Sequence, residues 1–155
     1  MKTINEFALK KNNNETISLV TCYDYWSAKI INETEIDAVL VGDSAAMVMH
    51  GFDTTVNADV EMMAYHLAAV KRGLTDKFLI ADLPFLAHRK GDQHAMEIVD
   101  KFVKLGANAV KIEGAGSNLK IIKLYVSCII SPCPGTSRKI YSSASCCKCR
   151  SGRHL

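Results

Sequence analysis

No apolar run in this 155-residue chain is long enough to cross a membrane as a helix. The first fifteen residues also lack the apolar centre of a signal peptide, and Glu6 and Glu15 lie among them. We therefore expect a cytoplasmic protein that has no membrane partner. The sequence has no patch in which basic and aromatic side chains alternate, so we expect no nucleic-acid partner either.

Acidic residues are missing from the end of the chain. All 16 acids lie at or before Glu113, whereas residues 114–155 carry seven basic residues. Cysteine is also unevenly spread, because five of the six cysteines follow residue 125. This break in composition predicts one folded unit over residues 1–125 and a separate tail, rich in Cys, Ser and basic residues, over residues 126–155.

A phosphate-binding glycine loop is absent from the start of the first predicted helix, where Asp24-Tyr25-Trp26 stands instead. That absence argues against a dinucleotide-binding or P-loop fold. Strand-like and helix-like segments nevertheless alternate four times. Strands are predicted at 16–24, 38–43, 78–82 and 109–113, and helices after Ser27, over 60–72 behind an Asp59 cap, over 93–105 and from Leu119. The alternation predicts an α/β protein with a parallel sheet, either doubly wound or a (β/α)₈ barrel.

Three of the predicted strands end in or run into an acid, namely Asp43, Asp82 and Glu113. Because the carboxyl ends of parallel strands lie at one edge of the sheet, we expect these acids to lie near one another. Carboxylates suit Mg²⁺, which would polarise the carbonyl of a bound 2-keto acid. Lys111 shares a strand face with Glu113 and is a candidate cation for a substrate carboxylate. Ser44 is a candidate hydrogen-bond donor to the same ligand.

Other polar residues have simpler interpretations. Asp24 is better explained as a helix cap or loop residue than as a metal ligand. The histidines at positions 50, 66, 88 and 94 show no ligand spacing with one another. His66 lies on an apolar helix face, which favours a position in the core or at its rim.

Five segments resemble one family, the ketopantoate hydroxymethyltransferases. They are TCYDYWSAK, VLVGDSAAMVMHGFDTT, MMAYHLAAVKRG, IADLPF and GANAVKIEG. The similarity extends from residue 3 to about residue 122, in order and nearly without gaps. It implies a TIM barrel, of which this chain has the first four βα units, and a homo-oligomer that is usually a decamer. The implied reaction transfers a hydroxymethyl group from methylenetetrahydrofolate to 3-methyl-2-oxobutanoate and gives ketopantoate, in pantothenate and coenzyme A biosynthesis.

The resemblance also implies roles for individual residues. Asp43 and Asp82 match the ligands of Mg²⁺ and substrate, and Glu113 matches an outer ligand of the metal. Ser44 and Lys111 match contacts to the substrate. Two alternatives stay open: another Mg²⁺-dependent lyase or mutase for 2-keto acids, and a half-barrel that is not an enzyme and binds zinc through its tail.

The chain departs from the family after the fourth strand. The family's GHLGLTPQ motif and its later general-base glutamate have no counterpart in the printed sequence, so we assign no catalytic base and expect no activity from this chain alone. Suitable codons for residues 131–138, read one nucleotide later, encode Leu-Pro-Val-Gln-Gly-His-Leu-Gly. We therefore interpret the tail as out-of-frame translation beginning between Lys123 and Ser131, and expect it to be disordered. The alternative zinc site, which would use Cys146, Cys147 and Cys149 with Cys133 and His154, has no standard ligand spacing.

Overall fold

A computed structural model describes residues 3–113 and 122–123 of the chain. Its α-helices are Ile4–Asn12 (α1), Tyr25–Asn32 (α2), Ala45–Val48 (α3), Val60–Gly73 (α4) and Asp92–Lys104 (α5). Its strands are Leu19–Thr21 (β1), Ala38–Val41 (β2), Phe78–Asp82 (β3) and Ala109–Lys111 (β4), and two short 3₁₀ helices span Thr55–Asn57 and Ala87–Arg89. None of the helices in these ranges is long and apolar enough to cross a membrane.

The four strands form one parallel sheet in the order β1-β2-β3-β4. The order in space therefore follows the order in sequence. A doubly wound sheet reverses its strand order at a switch point, whereas a barrel wall does not. Within the described residues, β1 and β4 each have a strand neighbour on one side only. The predicted α/β class is confirmed, and the sheet corresponds to the first half of a (β/α)₈ barrel.

Strands β2 and β3 are almost entirely buried, as a sheet covered by helices requires. The helices α4 and α5 present an apolar stripe to them with a period of three to four residues. Phe102, Met63 and Leu67 from these helices and Leu79 and Val39 from the sheet are the largest apolar side chains with almost no exposure. This layer fixes the positions of the strands, and hence of the residues that follow their carboxyl ends.

Helix α1 packs near the opposite, amino-terminal ends of the strands. Phe7 meets Phe78 edge to face, with the ring centroids 5.0 Å apart. The Lys10 Nζ atom donates to the carboxylate of the buried Asp37 over 2.7 Å, and the Ser18 backbone N–H donates to the same carboxylate over 2.9 Å. Lys10 and Asp37 are 27 residues apart in sequence. Contacts over such a separation are not visible in local sequence pattern, which does not predict α1.

Most predicted elements are found, with different ends. The first predicted strand, 16–24, is reduced to Leu19–Thr21, because Cys22 to Asp24 turn the chain into α2. The third strand and the helix capped by Asp59 have the predicted bounds to within one residue. The predicted helix from Leu119 lies outside the described residues except for Ile122 and Lys123. The predicted boundary at residue 125 and the tail also lie outside them.

The N-cap of α2 is Asp24, whereas the sequence predicts a helix that follows Ser27 as its cap. The Asp24 side chain accepts from the backbone N–H of Ser27 over 2.8 Å and from its hydroxyl over 2.8 Å. Both residues are good caps, so composition alone could not choose between them. These two hydrogen bonds, the backbone one first, lower the pKa of the Asp24 carboxyl. The interpretation of Asp24 as a cap is therefore confirmed.

Exchanging this cap should change stability in a pH-dependent way. Asp24→Ala is expected to lower the free energy of unfolding by about 1 kcal/mol at pH 7, whereas Asp24→Asn keeps a cap and costs only a few tenths. A lowered pKa means that the stabilisation is present above the ordinary value near 3.9 and is lost as pH falls through the folded value. Urea unfolding at pH 7 and at steps down to pH 3 should show the wild type losing stability relative to Asp24→Asn. A constant difference between the two would contradict this assignment.

Candidate active site

The predicted site residues lie at the carboxyl ends of the strands. Asp43 and Ser44 follow β2 after Gly42, and Ser44 is the N-cap residue of α3. Asp82 is the last residue of β3, and Lys111 is the last residue of β4. Because all strands are parallel, these residues meet at one edge of the sheet.

Asp82 and Lys111 form the centre of this edge. They are register partners in the β3–β4 ladder, and Lys111 Nζ donates to Asp82 Oδ2 over 2.5 Å. The Asp82 side chain is only 3% exposed, whereas that of Lys111 is 44% exposed. The carboxylate is therefore fixed inside the fold, while the lysine side chain is partly open to solvent, from which a ligand can approach it.

Asp43 adds a second carboxylate beside this pair. Its backbone N–H donates to Asp82 Oδ2 over a long 3.5 Å. Burial raises the pKa of the Asp82 carboxyl; the Lys111 ammonium opposes that shift and the negative charge of Asp43 reinforces it. The two carboxylates thus repel each other at this edge of the sheet. A bound cation would reduce this repulsion.

Glu113 lies two residues beyond β4 and is exposed. Within residues 3–113 and 122–123, no three side chains of His, Cys, Asp or Glu are grouped closely enough to hold a metal ion. Mg²⁺ is usually held by one or two carboxylates together with water and substrate oxygens, so the donor chemistry of Asp43 and Asp82 fits this ion without a third side chain. The role of Glu113 as an outer ligand stays a prediction.

Ser44 is held by a residue that the sequence did not single out. Tyr23, two residues beyond β1, makes a hydrogen bond of 2.7 Å between its Oη and Ser44 Oγ. A Cβ atom at Gly42 would lie 3.0 Å from Ser44 Oγ and 3.6 Å from Tyr23 Oη, so glycine keeps room for this contact. The only signal for Tyr23 was its position at the end of the first predicted strand.

A parallel sheet that has carboxylates and a lysine at the carboxyl ends of its strands is typical of the active sites of (β/α)₈-barrel enzymes. The sequence profile of the ketopantoate hydroxymethyltransferases matches residues 1–134. The chain belongs to this family, which confirms the resemblance found in the motifs.

Curated relatives agree with this assignment. The 3-methyl-2-oxobutanoate hydroxymethyltransferase of Bdellovibrio bacteriovorus is 53% identical over 123 residues, which are 79% of this chain and 47% of the relative. The enzyme of the same name from Legionella pneumophila (strain Lens) is 54% identical over 112 residues, or 72% of this chain and 43% of the relative. The chain therefore spans about half the length of the curated relatives it matches.

One solved structure supports the fold. A protein from Burkholderia cenocepacia J2315, described as a phosphonomutase, superposes with a TM-score of 0.53 at 18% identity. The superposition covers 63% of this chain and 38% of that protein. At this identity the likeness concerns the fold alone.

Proposed function

We propose that this chain supplies the metal and keto-acid part of a ketopantoate hydroxymethyltransferase site. The name of its relatives describes the transfer of a hydroxymethyl group to 3-methyl-2-oxobutanoate. The co-substrate of the proposed reaction is methylenetetrahydrofolate, as the resemblance to the family implies. The observation that carries the proposal is the buried Asp82 carboxylate, paired with the half-exposed Lys111 and placed beside Asp43. Family membership gives the substrate class, and the charges at this edge support it.

Charge balance favours a keto-acid anion together with a divalent cation. Asp43, Asp82 and Lys111 carry one net negative charge when all three are ionised. A Mg²⁺ ion and the monoanion of a 2-keto acid together add one positive charge, so these three side chains, the ion and the keto acid sum to zero before the outer, exposed Glu113 is counted. An anion without the metal ion would instead meet two carboxylates at close range, which is unfavourable at a partly buried position.

Asp43 and Asp82 would hold the metal ion, with Glu113 as its outer ligand. When bound, Mg²⁺ polarises the keto carbonyl and makes the neighbouring C–H more acidic. Lys111 would bind the substrate carboxylate, because its side chain is partly open to solvent while Asp82 fixes its position. Ser44 would donate its hydroxyl hydrogen to a substrate oxygen, and Tyr23 orients that hydroxyl.

The test is binding, measured on the 155-residue chain. Titration calorimetry with 3-methyl-2-oxobutanoate should show saturable binding in millimolar Mg²⁺ and none in excess EDTA. Keto-acid binding that persists in EDTA would contradict the metal and charge argument.

Other keto acids test the substrate assignment. Oxaloacetate and phosphonopyruvate carry an extra acidic group, which adds negative charge to a site already balanced by one monoanion. We expect both to bind more weakly than 3-methyl-2-oxobutanoate. Tighter binding of either would favour the alternative of a different Mg²⁺-dependent lyase or mutase. The decameric assembly and the cytoplasmic location stay predictions.

A further inference from the structure

Two histidines that are distant in sequence meet beside the proposed site. His66 lies in the middle of α4, and His50 follows α3. Their Nε2 atoms are 2.8 Å apart, the ring centroids are 5.1 Å apart, and the ring planes are nearly perpendicular at 84°. One imidazole lies on α4 and the other in the segment after α3, and each directs its Nε2 atom at the other.

The protonation of this pair follows from its neighbours. His66 Nδ1 lies 2.6 Å from the carbonyl oxygen of Tyr23. A carbonyl only accepts, so the hydrogen is on His66 Nδ1, and the Nε2 of the neutral ring carries a lone pair. His50 Nε2–H must then be the donor between the rings. His66 is thus oriented by a backbone carbonyl with its lone pair directed outward, as metal-ligating histidines usually are.

We propose that His50 and His66 bind a borderline transition-metal ion such as Zn²⁺, at a site separate from the carboxylate edge of Asp43 and Asp82. The ion takes the place of the hydrogen shared between the two Nε2 atoms. His50 moves its ring proton from Nε2 to Nδ1 through solvent, so both Nε2 atoms become ligands with no net release of protons. The two sites select different ions, because imidazole suits zinc, nickel and copper, whereas Mg²⁺ prefers oxygen ligands.

The geometry requires only a small adjustment. With Zn–N bonds of about 2.0–2.1 Å, a tetrahedral ion separates two ligand nitrogens by roughly 3.3 Å, about half an ångström more than in the hydrogen-bonded pair. His50 is exposed and lies in a connecting segment, so it can move, whereas His66 is fixed by α4 and the Tyr23 carbonyl. Water completes the coordination, since no third His, Cys, Asp or Glu joins them within the described ranges.

Two features of the surroundings support a cation here. The carboxylate of Asp24 interacts electrostatically with His66, which places a negative charge near the pair. Phe52 stacks on His50 at an interplanar angle of 22° and limits the directions in which that ring can turn. A bound ion would link the segment after α3 to α4. Because Ser44 immediately precedes α3, the ion would also restrain the residue proposed to contact the keto acid.

Histidine side-chain ¹H–¹⁵N NMR of the full chain tests the proposal. Without metal, the spectra should show His66 as the Nδ1–H tautomer and His50 as the Nε2–H tautomer. Titration with Zn²⁺ in millimolar Mg²⁺ should shift both Nε2 signals together and saturate them at one ion per chain. The histidine signals are the readout because total zinc uptake would also count any ion bound by Cys146, Cys147 and Cys149.

Matched variants separate the metal site from the hydrogen bonds. His50→Gln keeps an N–H donor toward His66 but removes the ligand, and His66→Asn keeps a donor toward the Tyr23 carbonyl but removes Nε2. Each should raise the apparent Kd for Zn²⁺ at least about tenfold, since changes in supporting residues alone cost roughly 10- to 100-fold. His94→Gln should leave it unchanged. Histidine signals in the wild type that ignore Zn²⁺, or an unchanged Kd in His50→Gln, would overturn the proposal.

Discussion

Gly73→Ala is expected to lower the free energy of unfolding by about 2 kcal/mol. Gly73 is the buried last residue of α4, where that helix crosses α2. A Cβ atom there would lie 2.6 Å from Ala28 Cβ and 2.8 Å from the backbone oxygen of Tyr25. Overpacking of this kind costs about 1–3 kcal/mol, and the gain in helix propensity is at most about 1 kcal/mol. A net loss of about 2 kcal/mol is the upper overpacking cost less the gain in helix propensity. We choose the upper cost because the backbone oxygen of Tyr25 cannot move without shifting α2.

Urea unfolding monitored by circular dichroism measures this effect. Ala28→Gly in the Gly73→Ala background should recover part of the loss, because it removes the nearer of the two contacts. Gly51→Ala is the control for backbone strain alone, since Gly51 has a φ of +72° and no atom within 4 Å of its Cβ position. Gly73→Ala as stable as the wild type would show that α2 can move away from α4 at no cost.

The contact at Gly73 also reaches the proposed site. Helix α2 begins two residues after Tyr23, whose hydroxyl is bonded to Ser44 and whose carbonyl is bonded to His66. A displacement of α2 would pull on both contacts. The close approach of α2 and α4 therefore fixes the orientation of the Ser44 hydroxyl as well as the stability of the fold.

The sequence predicts a strand or a helix correctly wherever a few adjacent residues determine that element. Strand β3 ends at Asp82 as predicted, and Asp59 caps α4 as predicted, because each signal is contained in a few adjacent residues. Helix α1 could not be predicted, since none of its residues is buried. Contacts such as that of Phe7 with Phe78 hold it in place instead, and local pattern does not show them.

The sequence predicts those site residues whose positions follow from the parallel order of the strands. A parallel sheet necessarily brings Asp43, Asp82 and Lys111 to one edge, so their type and position in sequence were enough. The approach of His50 to His66 depends on the path of the chain between α3 and α4, which no repeat or spacing in sequence reveals. Tyr23 was missed for a similar reason, because its partner Ser44 follows a different strand.

Asp82→Asn is expected to weaken Mg²⁺-dependent binding of 3-methyl-2-oxobutanoate by at least about 30-fold, since removing the charge of one partner from a buried ionic contact with the bound metal ion costs roughly 2–5 kcal/mol. The amide has nearly the shape of the carboxylate, but it supplies no charge for a metal ion and holds Lys111 less firmly. Calorimetric titration of the variant in millimolar Mg²⁺ measures the loss. This expectation rests on the proposed function, in which Asp82 is a ligand of the metal ion.

Stability should change in the opposite direction, and this separates a binding role from a structural one. Burial raises the pKa of the Asp82 carboxyl, so its ionised form is less favourable in the folded chain than in the unfolded chain. A neutral amide removes that penalty above the folded pKa, and the free energy of unfolding at pH 7 should stay equal or rise. Asp100→Asn is the matched control, because Asp100 accepts from Lys104 over 2.6 Å in an exposed pair on α5. It should leave binding unchanged; equal losses in both variants would mean that Asp82 has no specific part in the site.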